Sequence, residues 1–313
     1  MTRIVFMGTP EFAVPSLDLL VESGYRPVAV VTSPDRKKGR GRKVQTSAVK
    51  DAAIRHGIQT ILQPERVKDD SFAAEIRKLD ADILVVVAFR ILPPAVFSAS
   101  RLGAFNLHGS LLPAYRGAAP IHRAVMAGEK RTGVTTFFLQ EKVDTGNVIY
   151  QESMEIGPDE TTGDVHDRMM HLGAGAVLTT VKWIEAGEAR AMQQDDALAT
   201  SAPKVYPTEA RIPWEKESHE VHNHIRGLSP VPGAYTMHGE NRLKVYRSRI
   251  ATHPEVASAD AVPGCVSGLP DRLVVACGTG AVELLEIQAP GRRRMDARSF
   301  LAGYPMEQGG TLG

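Results

Sequence analysis

The run Ile83-Leu84-Val85-Val86-Val87-Ala88 does most to restrict the fold. Its β-branched residues favour a strand, and its lack of apolar/polar alternation means that both faces are buried. A strand covered on both faces belongs inside a sheet with helices above and below it. Neighbouring segments supply such helices. Ile4-Val5-Phe6-Met7 is another short apolar run, ended by Gly8. Val14, Leu17, Leu20 and Val21 then recur at helical spacing, and Gly24 stops that helix. Residues 28–31 form a further apolar run, and Phe72, Ile76 and Leu79 mark a second helix. Strands alternating with helices predict an α/β domain with a doubly wound, mostly parallel sheet. Ligands of such sheets bind beyond the carboxyl ends of the strands.

At 313 residues the chain exceeds one average domain, and two are expected. Residues 134–139 and 148–150 read as strands and 164–186 as a helix, which closes a first domain at 1–189. The polar stretch Gln193-Gln194-Asp195-Asp196, followed by Thr200-Ser201-Ala202-Pro203, makes 190–205 the expected linker. The texture changes over 206–313. A helix through 219–225 precedes short strands at 234–237, 243–246, 273–276 and 282–287, separated by Gly239, Gly268, Gly278 and Gly280. That pattern predicts a small β-barrel. Trp214 and Tyr235 are expected to pack there rather than to stack on bases.

Several function classes fall away. The net charge of +1 argues against a chain-wide polyanion binder, so any nucleic-acid contact must come from local patches. Cys265 and Cys277 have neither metal-ligand spacing nor the number for a disulfide framework, and a reducing cytoplasm fits them. The first apolar run is too short for a signal peptide, and no apolar stretch approaches the roughly 20 residues of a membrane span. The first strand ends in Gly8-Thr9-Pro10, not G-x-G-x-x-G, and a G-x-x-x-x-G-K-[ST] loop is absent, which disfavours a nicotinamide dehydrogenase. His219, His222 and His224 lie close together, but no cysteine or third ligand completes a zinc pattern, and His166 with His171 fares no better. No metal site is expected.

The candidate chemistry lies in Phe105-Asn106-Leu107-His108-Gly109, where a buried strand ends, and in Val143-Asp144-Thr145-Gly146. On an extended segment Asn106 and His108 share one face. An amide and an imidazole there can hold the oxygen of a tetrahedral intermediate. A carboxylate from Asp144 could orient the imidazole, favour its charged form and relay a proton through water. Taken singly, each of these residues could merely cap or turn the chain. The long irregular stretch after His108, containing Ser110-Leu111-Leu112-Pro113 and Arg116-Gly117-Ala118-Ala119-Pro120, favours function, because such loops in compact domains are usually functional.

These motifs together resemble the folate-dependent formyltransferases, over residues 1–189. The resemblance implies a doubly wound formyltransferase domain with 10-formyltetrahydrofolate as co-substrate. Asn106, His108 and Asp144 match the family's catalytic trio, and Ser110, Leu111, Leu112 and Pro113 match part of its folate site. Three further regions are similar to members that formylate the α-amine of initiator methionyl-tRNA. They are the opening Ile4-Val5-Phe6-Met7-Gly8-Thr9-Pro10, the basic stretch at 32–43, and C-terminal pieces such as Ile212-Pro213-Trp214 and Gly291-Arg292-Arg293-Arg294-Met295. Such members carry an OB-type second domain, here 206–313. Two departures stand out. Ala88-Phe89-Arg90-Ile91-Leu92-Pro93 is one residue shorter than the family's Ala-Tyr-Gly-x-Ile-Leu-Pro, and Asn147 stands where an Asp is frequent.

The basic stretch also speaks for itself. Arg36, Lys37, Lys38, Arg40, Arg42 and Lys43, with Gly39 and Gly41, put six cations in eight residues. Mutual repulsion keeps such a segment from folding alone, and it suits phosphate contacts that order it on binding. A solvated surface loop is the plainer alternative. Residues 206–313 hold twelve basic and twelve acidic residues, yet the cations group at Arg242, Lys244, Arg247 and Arg249 and at Arg292, Arg293, Arg294 and Arg298. The expectation is a cytoplasmic monomer, free of membrane, that formylates initiator methionyl-tRNA. Formyl transfer to glycinamide ribonucleotide or an amino-sugar nucleotide is the nearest alternative, and a non-catalytic RNA-binding protein the next.

Overall fold

A computed structural model describes residues 2–38, 43–252, 262–270 and 272–313, with the side chains of Lys37, Lys38 and Lys43 outside the description. Two compact units divide the chain. The first takes 1–120, 132–154 and 166–202; the second takes 121–131, 155–165 and 203–313. The segment expected as a linker therefore differs from expectation, since 190–202 packs within the first unit.

In chain order the elements through that point are β1 (Ile4–Gly8), α1 (Val14–Glu22), β2 (Ala29–Val31), β3 (Arg36–Lys38), β4 (Lys43–Gln45), α2 (Ala48–Arg55) and β5 (Ile61–Leu62). There follow α3 (Asp70–Lys78), β6 (Ile83–Val87), α4 (Pro94–Phe97), β7 (Gly103–His108), α5 (Pro120–Met126), β8 (Arg131–Phe138), β9 (Val148–Glu155) and α6 (Thr162–Ala186).

The first unit holds a seven-stranded sheet in the order β5-β2-β1-β6-β7-β8-β9. From β5 to β7 the strands are parallel, and β8 turns antiparallel to β7. The order reverses between β1 and β6, the switch point where such sheets bind ligands. All five residues of β6 are buried, as its unbroken apolar run requires. Side chains alternate across the sheet. Val5, Met7, Leu84, Val86 and Ala104 pack with Phe72, Ala73 and Ile76 of α3 and Val96 of α4. Leu107 points to the other face, where a Cβ on Gly173 of α6 would come within 2.7 Å of its Cδ2. Glycine there lets the helix backbone settle onto the strand. By the same alternation Ala104, Asn106 and His108 share the α3 and α4 side.

The helix α2 has only a weak apolar repeat in the sequence. Its stability comes from capping, with Ser47 Oγ accepting the Lys50 N–H at 3.0 Å, and from burial of Val49, Ala52 and Ala53. The strands β3 and β4 pair antiparallel as a short ribbon, so the two ends of the basic stretch do have regular structure. Arg40 and Arg42 lie outside the described residues, Lys37, Lys38 and Lys43 are described as backbone alone, and Arg36 is exposed.

The second unit adds α7 (Ser218–Gly227), β10 (Ala234–His238), β11 (Asn241–Ile250), β12 (Val266–Ser267), β13 (Leu273–Ala276), β14 (Ala281–Gln288), β15 (Met295–Asp296) and α8 (Ala297–Gly303). Its strands run antiparallel in the order β10-β11-β14-β13-β12, with β15 paired to β14. Register shifts around Arg247 bend β11 against β14 and curl the sheet in the manner of an OB-type half-barrel. Val221 and Ile225 of α7 and Phe300 of α8 fill its concave core with Leu243, Val245, Val275, Val282 and Leu284. Trp214 belongs to that core, and its indole N–H donates to Thr236 Oγ1 at 2.9 Å. Tyr235 packs at the core's margin with the Arg242 guanidinium 3.4 Å from its ring centre.

Candidate active site

Asn106 and His108 stand at the carboxyl end of β7 because β6 and β8 fix its register, pairing Asn106 with Val86 on one side and Phe137 on the other. The Asn106 side chain lines a narrow cleft of about 100 Å³. Val86, Phe89, Leu92, Phe97, Phe137 and Leu139 give it apolar walls, and residues 140–144 close one side. Ile91 and Val143, at the same cleft, stay exposed and offer apolar surface at its mouth.

His108 is buried, and its ring is fixed by what surrounds it. Nε2 lies 2.8 Å from the Tyr115 carbonyl, which can only accept, so Nε2 carries the proton and donates. Nδ1 therefore faces Asp144, whose Oδ2 is 3.8 Å away. That is too long for a direct hydrogen bond but close for a charge pair. The same Oδ2 accepts the Gly117 N–H at 2.9 Å. A neutral His108 presents a lone pair at Nδ1; a charged one presents an N–H there with a carboxylate beside it.

Three non-glycine residues here hold left-handed backbone: Ala88 at φ 47°, Tyr115 at φ 60° and Asp144 at φ 57°. Each costs of order 1–3 kcal/mol and persists only where its surroundings enforce it. Gly117, at φ 128°, meets the Ala202 carbonyl so closely that a Cβ would lie 2.6 Å from its oxygen. A side chain there would separate the Gly117 N–H from Asp144.

The four expected folate-site residues divide. Ser110 is fully buried and its hydroxyl donates to the Ala114 carbonyl at 2.6 Å, while Leu112 packs on Phe137 and Val148. Leu111 and Pro113 are partly exposed. Ser110 and Leu112 thus shape the loop that brings Tyr115 to His108, and the cleft wall comes from elsewhere. Thr135 pins this loop, donating to the Ser110 carbonyl at 2.6 Å and accepting from Leu112 N–H at 3.0 Å. Gln151 donates to the Leu112 carbonyl at 2.8 Å. Neither Thr135 nor Gln151 carries a sequence signal, because each is one polar residue on a strand.

Arg90 belongs to the shortened segment. It donates to the carbonyls of Glu65 and Pro64, at 2.9 and 2.7 Å, and so ties the cleft wall to the neighbouring loop. Burial, helped by the nearby Arg36 charge, pulls its guanidinium pKa below the usual range. The Nε of Arg90 is buried without a hydrogen-bond partner among the described residues.

Other candidates separate from this site. His222 Nε2 donates to the Pro158 carbonyl at 2.9 Å and its Nδ1 meets the Ser248 hydroxyl, a structural role within the second unit. Among the described residues no group of three His, Cys, Asp or Glu could hold a metal. Burial pushes the Cys277 thiol up to about 12, which makes it a poor nucleophile. Among the described residues no helix is long and apolar enough to cross a membrane.

An amide and an imidazole at the end of a strand of a doubly wound sheet, a carboxylate from the following turn and an apolar cleft beside them suit an enzyme of acyl-group transfer. Residues 2–181 match the family Formyl transferase, and residues 204–305 match Formyl transferase, C-terminal domain. The chain belongs to the formyl transferase family. It is 46% identical to Methionyl-tRNA formyltransferase of Moorella thermoacetica, covering 99% of each chain. It is also 46% identical to the protein of that name from Chlorobium luteolum, covering 97% of this chain and 98% of that one. Among solved structures, the N-formyltransferase of Helicobacter canadensis, in complex with folinic acid and dTDP-3-aminofucose, superposes with a TM-score of 0.70 at 18% identity, covering 92% of this chain and 100% of that one. HypX of Aquifex aeolicus, in complex with tetrahydrofolic acid, gives 0.65 at 16% identity, covering 99% of this chain and 50% of its own. At those identities the likeness is one of fold.

Proposed function

We propose that the protein transfers the formyl group of 10-formyltetrahydrofolate to the α-amine of methionine on initiator tRNA. What carries the acceptor assignment is the near-complete coverage, at 46% identity, of relatives bearing that activity in their names. The geometry supports the chemistry. The pterin ring occupies the apolar cleft beside Asn106, and the body of the folate leaves past Ile91 and Val143. Of the 110–113 segment, the partly exposed Leu111 and Pro113 are the members assigned to folate contact.

The neutral amine attacks the formyl carbon, and the carbonyl oxygen takes up the negative charge. The Asn106 amide and a charged His108, donating from Nδ1, stabilise that oxygen. Because Nε2–H is committed to Tyr115, Nδ1 can donate only in the imidazolium form, and the Asp144 carboxylate stabilises that form. The bond from the carbon to N10 then breaks. The amine loses a proton and N10 gains one, with Asp144 and His108 passing it through water. Products are N-formylmethionyl-tRNA and tetrahydrofolate. The basic stretch at 36–43 and the second unit hold the tRNA.

The experiment offers 10-formyltetrahydrofolate with charged initiator tRNA, glycinamide ribonucleotide and an amino-sugar nucleotide separately. Product on methionyl-tRNA alone is expected. Product on a small amine alone would overturn the acceptor, and no product on any, with tRNA still bound, would leave a non-catalytic RNA-binding protein.

A further inference from the structure

Gln194 lies in the polar stretch that looks like a linker, yet its side chain is buried, with 7% of the residue exposed. Its amide nitrogen donates to two carbonyls of the Asp144 turn, Asp144 at 2.9 Å and Gly146 at 2.8 Å. Its amide oxygen accepts from Arg116, at 3.0 Å from Nε and 2.8 Å from Nη2. Arg116 in turn pairs with Asp196 at 2.8 Å. One carboxamide therefore joins the turn that carries Asp144 to the loop that carries Tyr115 and Gly117.

The backbone of 192–202 completes the clasp. Met192 and Val148 exchange both hydrogen bonds, at 2.8 Å each. Arg116 N–H donates to the Thr200 carbonyl at 2.8 Å, and Ala202 N–H to the Arg116 carbonyl at 2.7 Å. Tyr115 N–H donates to Thr200 Oγ1 at 2.8 Å. Two of the three left-handed residues at the site, Tyr115 and Asp144, are hydrogen-bonded to this segment.

We infer that Gln194, braced by Arg116, is a positioning residue for Asp144, and that the 192–202 segment is a strap setting the carboxylate against His108. The inference rests on the formyl-transfer reading. Without the amide, the Asp144 turn loses the donor shared by its two carbonyls and relaxes, and the carboxylate drifts from its place 3.8 Å from Nδ1. Misplacement by about 1 Å can cost on the order of a hundredfold in rate.

The test is a double-mutant cycle on formyl transfer to methionyl-tRNA, using Gln194→Met, Asp144→Asn and both together. Gln194→Glu serves beside them, since it keeps the size and the Arg116 pair but gives up the donor, should the methionine variant fail to fold. Wild-type turnover tests the formyl-transfer reading by itself, and the ratios among variants test the strap. Either Gln194 variant is expected to lower kcat about a hundredfold, with KM for folate and for tRNA within a factor of about three. In the Asp144→Asn background the same substitution should lower kcat by less than about threefold, because its effect runs through the carboxylate. Equal losses in both backgrounds, or a loss confined to KM, would overturn the inference.

Discussion

Replacing Asp144 by asparagine isolates the charge in this site from its shape. Asn tolerates the left-handed backbone at φ 57°, so the turn should persist. Its amide oxygen can still accept the Gly117 N–H. What disappears is the charge 3.8 Å from His108 Nδ1, on side chains exposed by only 12% and 7%. At an effective permittivity of about 20, unit charges at that distance interact by about 4 kcal/mol. If the imidazolium forms on the way to the transition state, that energy leaves the barrier height unprotected, a loss of about a thousandfold. Some relaxation and solvent will reduce it, so kcat is expected to fall between about 10²- and 10³-fold. Single-turnover formylation with both substrates saturating gives the chemical step, and urea unfolding checks the fold. A fall of less than about fivefold with the fold intact would refute the charged-histidine mechanism.

Further expectations follow from particular contacts. Asn106→Ala should cost about 10²–10³ in kcat as the loss of one oxyanion donor, with tRNA binding by filter retention unchanged. Gly117→Ala forces a Cβ against the Ala202 carbonyl and an unfavourable φ, and should lose about 1–3 kcal/mol in urea unfolding together with activity. Burial, against a weaker opposing hydrogen bond to the Arg211 backbone, pushes His224 down from its usual 6.5 to about 4. The unfolded chain then binds a proton that the folded one refuses, so stability is full above pH 6.5 and lost as pH falls toward 4. That interval is worth about 3 kcal/mol, and His224→Gln should lose correspondingly less on acidification. Replacing Arg40 and Arg42 by alanine should flatten the dependence of tRNA affinity on salt by about one unit of log–log slope per lost phosphate contact.

The sequence alone determined those features whose physics is local. An unbroken apolar run must be buried on both faces, so the parallel sheet follows from residues 83–88. Alternation along a strand puts Asn106 and His108 on one side wherever that strand lies. The curled antiparallel second unit follows from short strands punctuated by glycine, and Trp214 lies in its core as expected. Where the periodicity is weak, as in α2 and the β3–β4 ribbon, the sequence does not reveal the elements, because caps and pairing partners stabilise them. What surrounds the trio depends on contacts between segments distant in the chain. Gln194 reaches Asp144 across 50 residues and Arg116 across 78, and in the sequence it is one polar residue among four. Ser110 turned inward to the loop because Ala114 offered its carbonyl nearby, a choice no spacing reveals. Hydrogen bonds are short-ranged and directional, so which polar side chains serve the site is settled only once the backbone has brought distant segments together.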